Sequence, residues 1–163
     1  MRTHSNLESI PHSDAHAGLA RWRELSRQAN AAFDRRDHAQ AQRLYQQALR
    51  VAQALIAGPA LATSPDDCLA ATVVAHHNLS ETNSQLGDCA NALEHLCCAH
   101  ESLTRIACDP HATDLIRRCA VRHMSRTRLA LLDWQTTHGA CARSQTSLRD
   151  SLSALSSLGA ALH

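Results

Sequence analysis

Imidazole and thiol groups crowd one stretch of this chain: His76, His77, His95, Cys97, Cys98 and His100. His95 and Cys98 are three apart, as are Cys97 and His100, so each pair shares a face of a helical segment. Imidazole nitrogen and thiolate sulfur are the donors that zinc and copper take, so a site built across two helices from His76, His95 and Cys98 is stereochemically open. The open ends of the two helices are expected to bring His76 to the level of Ala99 and His100. The spacing, however, matches no zinc finger or ribbon. With 12 histidines along the chain, such neighbours arise by chance, and small buried cysteines fill helix crossings as plain hydrophobes. No metal and no cofactor is assigned. A metal- or redox-responsive role stands as an alternative.

The second chemical feature is cationic. Arg118, Arg122 and Arg126 stand at i, i+4, i+8 and form one helical ridge, flanked by Arg117 and Arg128, with no acid from Leu115 to Ala130. Guanidinium groups so placed attract acidic peptide, phosphate or nucleic acid. A nucleic-acid binder would carry more than the formal +1 of this chain, together with interleaved aromatics or a recognition helix, so an anion or nucleic-acid role through the ridge is the weaker alternative. No nucleophile stands with a base and no carboxylate pair has catalytic spacing. The five glycines sit at helix ends rather than in a phosphate-cradling loop, so no enzymatic activity is expected.

The elements that must position these groups read as helices. At 163 residues the chain fits one domain, and it is rich in Ala and Leu but carries only Trp22, Phe33, Tyr45 and Trp134 as aromatics. That composition suits close-packed helices rather than sheets. Seven cysteines, an odd number scattered through helical segments, are no disulfide framework and fit reduced thiols. No apolar run is long enough to span a membrane and the first residues lack a secretory apolar core, so a soluble, untargeted, cytoplasmic protein is expected.

Residues 1–12 lack periodicity and read as a flexible segment. Ser13 and Asp14 offer cap oxygens to a helix carrying Leu19, Trp22, Leu25, Ala29, Ala32 and Phe33. Arg35, Arg36 and Asp37 break it. A second helix runs from His38 through Ala41, Tyr45, Ala48, Leu49 and Leu55 until Gly58 and Pro59 stop it. After a loop to Ser64, the run Ser64-Pro65-Asp66-Asp67 starts a third helix that reaches the Gly87-Asp88 turn. Its partner spans Cys89 to Ala107. Asp109 and Pro110 start a long helix to His138, and a last helix from Cys141 to about Leu158 frays beyond Ser156.

The spacing of Gly87, Ala92, Leu96 and Ala99, and that of Ala41, Tyr45, Ala48 and Leu49, resembles the tetratricopeptide repeat, in which small residues mark the close crossing of two helices. The turns at Arg36, Gly87 and Gly139 lie 51 and 52 residues apart, against about 34 in that family, so the helices would be lengthened. The resemblance implies an all-α fold of three antiparallel helical hairpins, six helices in all. They would cover about 13–57, 65–107 and 110–158 in a domain of residues 13–160, stacked as a short right-handed solenoid. Ala41, Ala92 and Ser144 would be equivalent contact points. The rival is an ordinary six-helix bundle.

Function then follows from the resemblance: a protein-protein interaction scaffold that holds a peptide segment in the groove of the first helices. Members that bind terminal carboxylates use Asn and basic residues there. By register, Asn30, Asn78 and Arg126 fall on three of five such positions, with Ser26 and Ala130 replacing two cations. With the Arg ridge, the candidate groove is Asn30, Asn78, Arg118, Arg122 and Arg126. The expected partner is another protein or peptide of acidic character, not a membrane. Leu148, Leu152 and Leu155 on the last helix either fold inward or meet a second copy as a homodimer.

Overall fold

The computed structural model describes the backbone of residues 10–161 and side chains of residues 15–157. The described chain is all helix: α1 (Ile10–Asp34), α2 (His38–Ala57), α3 (Ala60–Thr63), α4 (Pro65–Gln85), α5 (Cys89–Ala107), α6 (Asp114–His138) and α7 (Ala142–Ala161). Among the described residues there are thus seven helices where the sequence pattern counted six. The addition is α3, a single turn in the expected loop. Pro59 holds φ −65 ahead of it, a value the pyrrolidine ring fixes and a helix shares. Ala60 then turns into the core.

Two turns are built alike. Between α1 and α2, Arg36 takes φ 62, the Asp37 N–H donates to the Ala32 carbonyl at 3.0 Å, and the Asp37 carboxylate accepts the Gln40 N–H at 3.1 Å. Between α4 and α5, Gly87 takes φ 78, the Asp88 N–H donates to the Asn83 carbonyl at 2.8 Å, and the Asp88 carboxylate accepts the Asn91 N–H at 3.1 Å. One left-handed residue thus closes the first helix of each pair, and one aspartate opens the second. The third turn keeps only the left-handed residue. Gly139 has φ 87, but no aspartate follows, and the Ser144 hydroxyl accepts the Cys141 N–H at a long 3.4 Å.

Several boundaries differ from the sequence reading. The first helix already includes Ile10, so Ser13 and Asp14 lie inside it rather than capping it. Of the segment expected to be flexible, residues 10–12 are helical, and 1–9 lie outside the described residues. Asp109 does not cap α6. Its carboxylate accepts the His111 N–H at 2.8 Å to make a local turn, and Thr113 caps instead, accepting the Ile116 N–H at 3.3 Å. Helix α7 continues to Ala161 rather than fraying from Ser156.

Consecutive long helices pack in order, α1 on α2, α2 on α4, α4 on α5 and α5 on α6, while α4 also touches α1 and α6. Helix α7 departs from this, resting more on α5 than on α6. The close approaches are made by small side chains: Ala41, Ala92 and Ser144 are each 0% exposed. Around Ala41 pack Ala29, Ala32, Tyr45, Leu49, Ala75 and Leu79, joining α1, α2 and α4. Each large apolar side chain so buried contributes about 1.5–3 kcal/mol, and the alanines let the backbones come close enough for that burial. Of the leucines on α7, Leu148 and Leu155 join buried clusters, whereas Leu152 stays exposed. Among the described residues no helix is long and apolar enough to cross a membrane.

Candidate interaction surface

Helices α1, α4 and α6 lie side by side, with α4 between the others. The first two meet at a notch of about 190 Å³ lined by Asn30, Phe33, Asp34, Tyr45, Asn78 and Glu81. The buried Tyr45 hydroxyl reaches across from α2 and donates to Asn30 Oδ1 at 2.5 Å. That bond occupies the amide's acceptor and leaves its NH2 to donate outward. Asn30 and Asn78, assigned to one groove from sequence, are therefore brought together. Asp34 and Glu81 stand beside them, so this end of the row is acidic and suits peptide amides or a cation better than a carboxylate.

At the other end the arginines of α6 differ in their partners. Arg122 bonds to Asp66 Oδ1, which also takes a 2.7 Å contact from His123 Nε2. Those two hydrogen bonds, Arg122 first, hold the Asp66 carboxyl below its ordinary value. The sequence showed no acid near the ridge because Asp66 arrives from the first turn of α4, 56 residues away. Arg118 and Arg126 have no carboxylate in ion-pairing distance among the described residues. Burial first, then the positive charge of Arg126, pushes the His77 ring down. Of the two residues standing where the family places cations, Ser26 and Ala130 are both half-buried.

The His and Cys set divides into separate environments. His76 and His95 face each other across α4 and α5, with their Nδ1 atoms 3.1 Å apart, so His76 meets His95 rather than the level of His100. Residues five apart on a helix point about 140° away from each other, which is why His95 and His100 cannot both face α4. Burial first, then the neighbouring His95 and His77, lowers His76 to about 4. Cys97 packs with Leu93, Leu96 and Leu131, Cys98 donates to Glu94 at 3.4 Å, and burial pushes both thiols up to about 11. Among the described residues no three His, Cys, Asp or Glu side chains are placed to share a metal ion.

His100 is buried where α5, α6 and α7 meet, with Nδ1 2.8 Å from the Thr127 hydroxyl and Nε2 2.8 Å from the Ser151 hydroxyl. Each hydroxyl also lies within donating distance of a carbonyl in its own helix, Thr127 of Met124 at 3.1 Å and Ser151 of Leu148 at 2.8 Å. Burial lowers the ring's pKa first, Arg128 adds to this, and Glu101 opposes it. A neutral ring has one N–H, so one hydroxyl must turn its proton to the ring. The longer carbonyl bond, that of Thr127, is the one to yield. Nearby, Arg143 of α7 holds Glu94 of α5 through two bonds of 2.8 and 2.9 Å and also bonds Glu101. This clamp fixes α7 on α5, and its only sequence signal was the seven-residue spacing of the two glutamates on one face.

A depression of about 440 Å³ lies away from the row between α1, α2 and the α2–α3 link, with Arg50 its one polar side chain. The described chain is all-helical, with polar groups spread along its helix faces. It belongs to the family described as protein of unknown function (DUF2753), whose model matches residues 20–161. No curated protein and no solved structure matches it.

Proposed function

We propose that this chain is a tetratricopeptide-like scaffold: three lengthened helix pairs, α1–α2, α4–α5 and α6–α7, the last splayed so that α7 rests mainly on α5, stacked as a short right-handed solenoid that binds a segment of another protein. The packing order supports this reading, because in such a stack the second helix of each hairpin packs on the first helix of the next while the first helices line up. Here α2 packs on α4, α5 on α6, and α1, α4 and α6 form one row. The function is binding in the cytoplasm rather than catalysis.

The partner segment lies along that row, over Asn30 and Asn78 at one end and Arg118, Arg122 and Arg126 at the other. The observation that carries the assignment is the Tyr45 hydroxyl on Asn30, which spends a buried polar group on orienting a surface amide. A terminal carboxylate is a poor occupant of the notch, given Asp34 and Glu81. Amide donors there and guanidinium donors on α6 fit an extended backbone that becomes acidic towards α6. Affinity capture with the folded chain, repeated with Asn78→Ala and Arg126→Ala together, tests it. Loss of the captured proteins is expected, and their undiminished recovery would end the groove assignment.

A further inference from the structure

Six large apolar side chains are exposed among the described residues, and four of them, Leu115, Val121, Leu129 and Leu132, are on α6, with a fifth, Leu152, on α7. Scattered exposed leucines need no explanation, but this concentration on one helix does. Val121, Ser125, Leu129 and Leu132 follow i, i+4, i+8 and i+11, so they form one strip. The ridge of Arg118, Arg122 and Arg126 runs parallel, three residues earlier. Serine at the middle of the strip leaves a dip between Val121 and Leu129. Leu152 widens the strip across a notch of about 130 Å³ between α6 and α7 that Val121, Met124 and Ser125 also line.

We infer that this outer face of α6 seats an acidic amphipathic helix of a partner protein, its apolar ridge between Val121 and Leu129 and its carboxylates on Arg118 and Arg128. Packed helices interdigitate ridges spaced four residues apart, and a strip with a small residue between two large ones is a receiving groove for such a ridge. Charge decides which helix. Residues 115–130 hold five arginines and no acid, and Arg118, Arg126 and Arg128 have no carboxylate partner among the described residues. A basic or neutral helix would leave that charge uncompensated. A nucleic acid would satisfy the arginines but leave the leucines against phosphate and sugar, with no aromatic ring among Val121, Ser125, Leu129 and Leu132 to stack a base. The inference rests on the scaffold reading, since it takes α6 as the free side of the last helix pair and shares Arg118 with the row, where the two occupants would compete.

The test uses a fluorescein-labelled designed helix with Leu at i, i+4, i+7 and i+11 flanked by Glu, read by fluorescence anisotropy against the whole chain. The helix is expected to bind, and to weaken as salt rises. Val121→Ser with Leu129→Ser, both at exposed positions, and separately Arg118→Glu with Arg128→Glu, are each expected to weaken it by at least about tenfold. Asn30→Ala with Asn78→Ala is expected to leave it unchanged. Loss of binding in that amide variant would overturn the strip and keep the groove. Undiminished protein capture by the Asn78 and Arg126 variant, with the probe still bound, would remove the groove and keep the strip. Equal binding of a shuffled helix or a DNA duplex would reduce α6 to a polyanion surface, and a homodimer broken by Leu129→Ser would give the strip to a second copy. Either outcome contradicts the inference.

Discussion

The α4–α5 pair and the α6–α7 pair begin from the same plan and end differently. In the first, a left-handed glycine and a capping aspartate close the turn, and Ala92 brings the helices together along their length. In the second the glycine remains, but the aspartate is gone and serine replaces alanine at the crossing. Helix α7 packs more on α5 than on α6, held by Arg143 on Glu94 and Glu101. A helix that loses its sequence neighbour keeps a face for something else, and α6 carries Leu129 at 61% exposed. The weaker turn thus goes with the helix pair that leaves more of its own apolar surface uncovered.

The largest expected effect probes the close crossings. Ala92→Leu and Ala41→Leu force a branched side chain between backbones that leave no room, and each should cost up to about 3 kcal/mol in urea denaturation. A cost near zero at either position would mean that the pairs are not close-packed there.

Nearly as large is the effect of acid on the α4–α5 pair. Folding lowers His76 from 6.5 to about 4, and His77, His95 and His100 are also lowered, mainly by burial. The unfolded chain therefore binds more protons in this window, so stability is full above pH 6.5 and is lost as pH falls towards 4. His76 alone accounts for up to about 3 kcal/mol. Urea titrations between these limits should slope downward with acid, more shallowly in His76→Leu. An identical slope in that variant would show that the ring is not the group that titrates.

Smaller effects compare the turns directly. Asp37→Ala and Asp88→Ala should each cost about 1 kcal/mol in thermal or urea denaturation, the usual value of a helix cap. Arg36→Gly should be neutral to stabilising because it relieves a left-handed φ of 62, while Gly87→Arg should destabilise by about 1 kcal/mol. Effects of the same sign from both substitutions would separate turns that are built alike.

The turns and crossings were legible in the sequence because they depend on local chemistry. Arg36, Gly87 and Gly139 align at a near-constant interval, and all three have positive φ. Arg36 was readable only through that alignment, since no local rule favours arginine there. Helix starts were less legible. Asp109 and Thr113 are both good caps, and the choice between them depends on Pro110 and on how far α6 must travel to reach α5. The candidate surface was half legible. Asn30 and Asn78 could be set on one row by register, and Asp34 and Glu81 follow them at i+4 and i+3 on the same helices, but the tyrosine that orients Asn30 comes from α2. Asp66, Arg143 and the three-helix junction at His100 are long-range pairings, which a periodic pattern does not encode.

The His100 junction also fixes a protonation form. Nε2–H donating to Ser151 and Nδ1 accepting from Thr127 is the expected tautomer, and nitrogen chemical shifts of the labelled ring report it. The Nδ1–H form would mean that Ser151, not Thr127, gives up its carbonyl.

On our proposal, partners are met on the row of α1, α4 and α6. A photoreactive amino acid at Asn78 or Arg126, compared in living cells with the same group at the exposed Gln53 of α2 or Arg105 of α5, tests it most directly. Covalent adducts with other proteins are expected from the first two positions and not from the last two. Adducts confined to Gln53 and Arg105 would contradict it.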